Sequence, residues 1–398
     1  MAIQKITSGI IQDGAIAAAD IVSVANTAIT GNITSSQIAP DQTLNGNVSV
    51  TGTLSTPNTF GFKNRIINGG MVIGQRNAGA AVTANEGFPV DRFKLGFGNS
   101  TGAFSAQQTT TAPAGFINSV KYLTTTADVS LGATEYATLF QPIEGLNVAD
   151  LAWGTASAST VTLSFWCRSS VTGTFGGALR NSSGTRSYPF TFAISVIDTW
   201  EQKTITIAGD TSGTWLTTNG VGIYLNIGMG TGTTYSGTAG AWAGANYLSA
   251  TGAVNLIATL NADFYITGVQ LEKGSTATSF DFRDYGRELA MCQRYYQNSF
   301  AVGNVPGTSV AVKDSVTVTA WSDGNAPFQG MFPVPMRVSP TVTLRPRGSV
   351  TTGQVNSDGT NRAGVAGEIS EKGVSYIIIT TGTVGAAVSY TYECSSEL

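Results

Sequence analysis

Histidine is absent from the 398-residue chain. That removes Ser-His-Asp triads, Cys-His dyads and imidazole metal sites together. An enzyme built on this chain would have to work with paired carboxylates, Lys or Tyr. Cysteine is scarce: Cys167, Cys292 and Cys394 are odd in number and far apart, so they form neither a disulfide framework nor a zinc spacing and read as buried free thiols. Charge is scarce as well. Asp, Glu, Lys and Arg make up 11% of the chain, against roughly a quarter in ordinary globular proteins. The surface must therefore be built from Thr, Ser, Asn, Gln and Gly, which suits a secreted or fibrous protein better than a cytosolic enzyme. With a net charge of −3 and no basic stripe, nucleic acid is not an expected partner. No apolar run approaches the ~20 residues that span a bilayer, so no membrane insertion is expected. The opening "MAIQKITSGIIQDGAIAAAD" lacks the positive region and solid apolar block of a signal peptide.

Hydrophobic residues amount to 42%, enough for a core, and the 48 glycines follow no collagen-like period. With abundant Thr and Val they predict short strands and tight turns, an all-β chain. Residues 1–60 stand apart. Ile10, Ile16, Ile21, Ile29, Ile33 and Ile38 recur at spacings of 4 to 8, and no aromatic occurs before Phe60. One thin strand of chain cannot bury these isoleucines, whereas three copies wound on one axis can. A fibrous trimeric stalk is expected, with Ile10, Ile16 and Ile21 at the interface; a disordered linker is the alternative.

From residue 61 to 283 about ten short strands separated by turns predict a β-sandwich or jelly roll. They include "FKNRIINGGMVIGQR", taken as a strand with a turn at Gly69–Gly70. In "TVTLSFWC", Val161, Leu163, Phe165 and Cys167 share one face. Residues 284–298 form a connecting helix, capped by Asp284, with Leu289, Cys292 and Tyr296 on one stripe. That stripe is expected near the threefold axis, packed against its copies or the adjoining domain. Residues 299–398 predict a small C-terminal β domain.

The strings "NRIINGGMVIGQR" (Asn64 to Arg76), "VDRF" (Val90 to Phe93), "SFWCRSS" (Ser164 to Ser170), "ITGVQLEKGSTATSFDFRDYGRELAMCQRYY" (Ile266 to Tyr296), "FPVPMRVSPTVT" (Phe332 to Thr343) and the terminal "SSEL" resemble tail fibre proteins of tailed bacteriophages, of the kind common in phages of marine and freshwater bacteria, cyanobacteria included. The resemblance covers about residues 62 to 345 and the C-terminus. It implies a homotrimer and a stalk docked through the N-terminus to tail, baseplate or adaptor proteins. It further implies a jelly roll similar to carbohydrate-binding modules and a distal β domain that meets the host surface, all carried on the virion. It brings no ligand residues with it.

On that expectation the protein is a receptor-binding adhesin for a host surface polysaccharide. A tailspike-like depolymerase and a purely structural adaptor are the alternatives. Sugar recognition uses exposed aromatic faces with amide, carboxylate or Arg hydrogen bonds. Trp153, Trp215, Trp242 and Trp321 lie in turn-like surroundings, where a Trp either plugs a barrel end or stays exposed. Two patches are therefore expected: Trp242 with Tyr235 and Tyr247 on the jelly roll, and Trp321 with Asp323, Asn325 and Phe328 on the distal domain. The distal one ranks first, because fibre tips touch first. No cofactor is expected. A structural calcium ion would have only the lone carboxylates of Asp210 and Asp263, without a dense oxygen-ligand run. Glycosidase chemistry would require two of Glu135, Glu144, Asp150, Glu201 and Asp281 to pair in space, and no repeat suggests the β-helix of a depolymerase. A non-enzyme is the expectation.

Overall fold

The computed structural model describes residues 63–98, 100–308, 314–328 and 331–398. Ile10, Ile16, Ile21 and the whole expected stalk lie outside them. The described chain is all-β with one α-helix.

Its first half is an antiparallel sandwich. The strands are β1 (Lys94–Gly98), β2 (Ala103–Thr109), β3 (Ser119–Thr126), β4 (Tyr136–Glu144), β5 (Val161–Ser169), β6 (Gly173–Arg180), β7 (Ser187–Ile194), β8 (Glu201–Ile207), β9 (Val221–Thr231), the short β10 (Ser236–Gly237) and β11 (Ser249–Ala250), and β12 (Asp263–Lys273). One five-stranded sheet runs β1-β4-β9-β6-β7 and the other β2-β3-β12-β5-β8, the interleaved strand order of a jelly roll. Alternation explains the layers. Val161, Leu163, Phe165 and Cys167 of β5 are all completely buried, on the face that the sequence predicts. Opposite them, Ile223, Leu225, Ile227 and Met229 of β9 fill the same core from the other sheet. Burying a side chain of this size contributes roughly 1.5–3 kcal/mol, so this layer dominates the stability of the sandwich.

The second half is built around β20 (Ala387–Ser395). It pairs antiparallel with β13 (Tyr296–Asn298), β14 (Val316–Thr319), β16 (Thr341–Arg345) and β17 (Gln354–Ser357). From β17 the sheet continues through β18 (Thr360–Ser370) and β19 (Gly373–Ile379) to β15 (Asn325–Pro327). Its core contains Phe328, Met336, Val388 and Tyr390 and is separate from that of the sandwich.

Between the cores lies a joint, and here two sequence expectations are corrected. Residues 64–76 are not a strand; they run irregularly across the sandwich. Asn64 Nδ2 donates to the Val269 carbonyl (3.0 Å) and Val269 N to the Gly69 carbonyl (3.0 Å), at the register shift of β12. A Cβ on Gly69 would lie 2.1 Å from the Val269 oxygen, so only glycine fits there. The helix is also shorter than expected. α1 spans Tyr285–Gln293 and begins with Asp284 Oδ1 accepting from Arg287 N at 2.9 Å, as its capping role requires. Tyr296 leaves the helix and pairs in β13 with Ser395.

The predicted stripe therefore does not exist as one helical face. Cys292 and Tyr295 are completely buried with Ile67 and Ile73, and Leu289 packs on the same small cluster. Tyr296 is 3% exposed. Cys292 and Tyr296 are enclosed by their own chain, which matches the packing on adjoining segments expected as the alternative to a threefold seam.

The joint is polar as well as packed. Arg294 meets Glu144 (2.6 Å), Arg76 meets Asp91 (3.1 Å) and Glu397 (2.8 Å), and Arg92 pairs with Glu397. The Arg92 and Arg76 guanidinium groups each stack 3.6 Å from the ring centroids of Tyr295 and Tyr296. Most of the motif strings that carry the tail-fibre resemblance meet here: Asn64 to Arg76, Val90 to Phe93, the "CQRYY" run and "SSEL".

Candidate functional site

A groove opens on the outward face of the sheet β1-β4-β9-β6-β7. The parity of β4 sends Ala137, Leu139 and Ile143 into the core and leaves Tyr136, Thr138 and Phe140 outside. On β9, Asn226 lies opposite Phe140, with Tyr224 opposite Pro142, on that same outer face. β6 adds Arg180, in register with Tyr224.

Half of this face is covered. Residues 232–250 leave the sheet and return across it, and Ser249 settles over Gly176 and Gly228. A Cβ at those glycines would fall 2.4 and 2.6 Å from the Ser249 hydroxyl, so the missing side chains make the room. The uncovered half is lined by Glu86, Tyr136, Thr138, Phe140, Arg180 and Asn226, with Tyr235, Asn246 and Leu248 from the excursion.

The groove mixes three aromatic rings with the polar side chains of Glu86, Thr138, Arg180, Asn226 and Asn246. Tyr136 and Tyr235 meet edge to face with centroids 5.1 Å apart. Phe140 lines the groove, and Tyr224, on the same outer face beyond the lining, has its ring centroid 6.1 Å from that of Phe140. The Arg180 guanidinium sits 4.0 Å from the Tyr224 ring centroid. Burial lowers the pKa of Arg180, partly offset by the neighbouring Tyr224, Tyr136 and Glu86. Burial also raises that of the Tyr136 hydroxyl, aided by Tyr235, so the ring presents a neutral OH at physiological pH. Glu86 binds Lys94 at 2.8 Å. The arrangement can stack the apolar face of a pyranose ring and offer Asn and Arg donors to its hydroxyls.

The jelly-roll patch expected from sequence does not assemble as expected. Only Tyr235 lines the groove. Trp242 stacks with Trp153 (5.2 Å), Trp215 (5.4 Å) and Tyr188 (5.2 Å), and Trp153 meets Trp215 at 4.8 Å, all edge to face. Their indole N–H groups donate to backbone carbonyls of Ala208, Ser159 and Ser212. Three of the four loop tryptophans thus pack on the sandwich core. The Tyr247 ring packs beneath Gly237 and holds the excursion in place.

The distal patch also divides. Trp321 is 56% exposed, with Tyr376 beside it at 6.4 Å. Asp323 Oδ1 accepts from Val384 N (3.1 Å) and Asn325 Nδ2 donates to Ser322 Oγ (3.0 Å), so both hold the local turns. Phe328 is core, 6% exposed and stacked on Tyr390 and Tyr392.

The carboxylates considered for hydrolysis or calcium are engaged elsewhere. Glu144 binds Arg294 and the Tyr295 hydroxyl, Glu201 binds Lys203 and two backbone amides, and Asp150 binds Arg65. Glu135 folds back to the Gly132 amide and Asp281 faces Arg283 at 3.5 Å. Asp210 is clamped by Arg186 through two 2.7 Å bonds, and Asp263 faces Lys121 at 3.3 Å. Among the described residues, no helix is long and apolar enough to cross a membrane.

Sequence reasoning missed Tyr136, Phe140, Tyr224, Asn226 and Arg180. A signal was present: in "YATLFQ" and "IYLN" the residues of one parity are Tyr, Thr, Phe and Tyr, Asn, a mixed face backing an aliphatic one.

No protein-family model and no curated protein matches this chain. Solved structures do. The enzymatically active domain of tailspike protein 4 of bacteriophage CBA120 matches with 12% identity and a TM-score of 0.29, over 53% of this chain and 21% of that one. A family 11 carbohydrate-binding module of a Clostridium thermocellum cellulosomal cellulase matches with 12% identity and a TM-score of 0.26, over 50% of this chain and 97% of the module. The N-terminal cellulose-binding domain of a Cellulomonas fimi β-1,4-glucanase gives 10% identity and a TM-score of 0.21, over 46% of this chain and 90% of the domain. Likenesses this distant do not bear on what this chain binds.

Proposed function

We propose that the protein is a non-catalytic saccharide-binding adhesin of a phage tail fibre, and that the groove on β4, β9 and β6 is its sugar site. The observation that carries this reading is the groove itself. Three aromatic rings, Tyr136, Phe140 and Tyr235, line it together with Thr138 and Asn226 of the outer sheet face. Residues of one parity on a sheet hold fixed positions, so the site is preorganised and loses little side-chain entropy on binding. The motif resemblance supplies the setting: a homotrimer on the virion, attached through residues 1–60 and facing a host surface polysaccharide. Three modest sites on one fibre would then act through avidity.

The test is retention of the purified protein on immobilised host-envelope polysaccharide, before and after Tyr224→Ala and Tyr136→Ala. Loss of retention in both variants, with an unchanged far-UV spectrum, supports the groove. Undiminished retention moves the site elsewhere. A falling polymer size during incubation would replace the adhesin reading by the depolymerase.

A further inference from the structure

Arg180 stands out among the arginines of the fold. Arg76, Arg186, Arg294 and Arg345 each hold a carboxylate at 3.1 Å or less. The Arg180 side chain has no ion pair or hydrogen bond among the described residues, and its Nε is buried without a partner. Lys94, on the same face of the sheet, is already taken by Glu86 Oε2 and the Leu398 carbonyl, both at 2.8 Å. Glu86 is the only carboxylate among the described groove-lining residues, and it is paired with Lys94 at 2.8 Å and not with Arg180. The one uncommitted charge in the groove is therefore positive.

A half-buried guanidinium without an anion is costly, because burial strips water without returning a counter-charge. A neutral sugar hydroxyl compensates it weakly. A planar carboxylate, or a sulfate, matches the guanidinium fork with two parallel hydrogen bonds. Tyr224 beneath the guanidinium fixes the plane of that fork before the ligand arrives.

We propose that the saccharide held in this groove is anionic, with the carboxylate of a uronic acid residue, or its sulfated equivalent, seated on Arg180 above Tyr224. This rests on the reading of the groove as a sugar site.

The test is a binding measurement on the full chain with matched acidic and neutral oligosaccharides: galacturonate with galactose, mannuronate with mannose, glucuronate with glucose. Sulfated galactan forms a separate arm. The expected result is at least one acidic member bound about tenfold or more tighter than its neutral partner, as a charge-assisted bidentate contact provides. Arg180→Gln should remove that preference, bringing the acidic member's affinity to that of its neutral partner in the same variant, and Arg180→Lys should restore only part of it. A stronger response to sulfated galactan than to the uronates keeps the anionic ligand and identifies sulfate as its group. Equal binding of acidic and neutral members, unchanged in Arg180→Gln, overturns the anionic ligand but leaves the sugar groove standing. Binding of no oligosaccharide, or binding indifferent to Tyr224→Ala, overturns the groove reading itself. Should Arg180→Gln fail to fold, the wild-type protein decides. Acidic-ligand affinity that does not fall with added salt contradicts a charge-held ligand.

Discussion

Arg294, the residue after α1, grips Glu144, the last residue of β4, through Nε at 3.0 Å and Nη2 at 2.6 Å, across 150 residues of sequence. The Tyr295 hydroxyl donates to the same carboxylate. Glu144 is 1% exposed, so its carboxylate takes its hydrogen bonds from these donors and not from water. Arg294→Met should therefore destabilise the protein by about 3 kcal/mol, the lower end for breaking a buried pair, because the Arg294 side chain remains one-third exposed and water can reach part of the gap. Urea unfolding checks this. A change in unfolding free energy below about a few tenths of a kcal/mol would show that the pair does not hold the joint.

The acid limb of stability should depend on Glu397. Burial works to raise its carboxyl, but Arg92 and Arg76 prevail and hold it below the ordinary glutamate value. A depressed folded pKa means stability that is complete above about pH 4.3, the unfolded value, and is lost as pH falls through the folded one. Glu397→Gln should lower stability at neutral pH and flatten the decline between about pH 4.3 and the lower, folded pKa. Denaturation midpoints at several pH values measure it.

The three thiols should be silent in the native protein. Cys167, Cys292 and Cys394 are completely buried. Burial pushes the Cys167 thiol up to about 12 and the Cys394 thiol up to about 12. A thiol reagent at mildly alkaline pH should label none of the three before denaturation and all of them after. Rapid native labelling of Cys292 would contradict the closed joint.

The tryptophan cluster should matter for stability and not for binding. Trp153→Ala should cost about 3–5 kcal/mol, the range for removing a buried aromatic ring. Trp242→Ala, at a half-buried position, should cost less. At temperatures where each variant is folded, both should bind saccharide as the wild type does.

The contrast between these tryptophans and the groove shows what the sequence could reveal. The all-β class was legible because Val, Thr and Gly alternate over short runs, and the cap of α1 because Asp284 precedes a helix-forming stretch. The end of α1 was not legible. "CQRYY" continues a plausible helical pattern, and only pairing with Ser395, about a hundred residues later, draws Tyr296 into a strand. The joint was equally hidden, since Arg92 and Glu397 become partners only in the folded chain. The groove was missed for a different reason. Loop tryptophans attract attention by composition, yet Trp153, Trp215 and Trp242 find one another and turn inward. Tyr136 and Tyr224 stand on strands buried along most of their length, where the mixed parity beside an aliphatic one is a fainter signal than a tryptophan in a loop.

The central claim is that the sheet groove, and not the exposed Trp321, binds the host saccharide. The most direct measurement compares wild type, the Tyr136→Ala/Tyr224→Ala double variant and Trp321→Ala for retention on immobilised host-envelope polysaccharide, with folding verified for each. Retention should fall at least about tenfold in the double variant, equivalent to losing roughly 1.4 kcal/mol, and should persist in Trp321→Ala. Loss in Trp321→Ala with retention in the double variant would contradict the account.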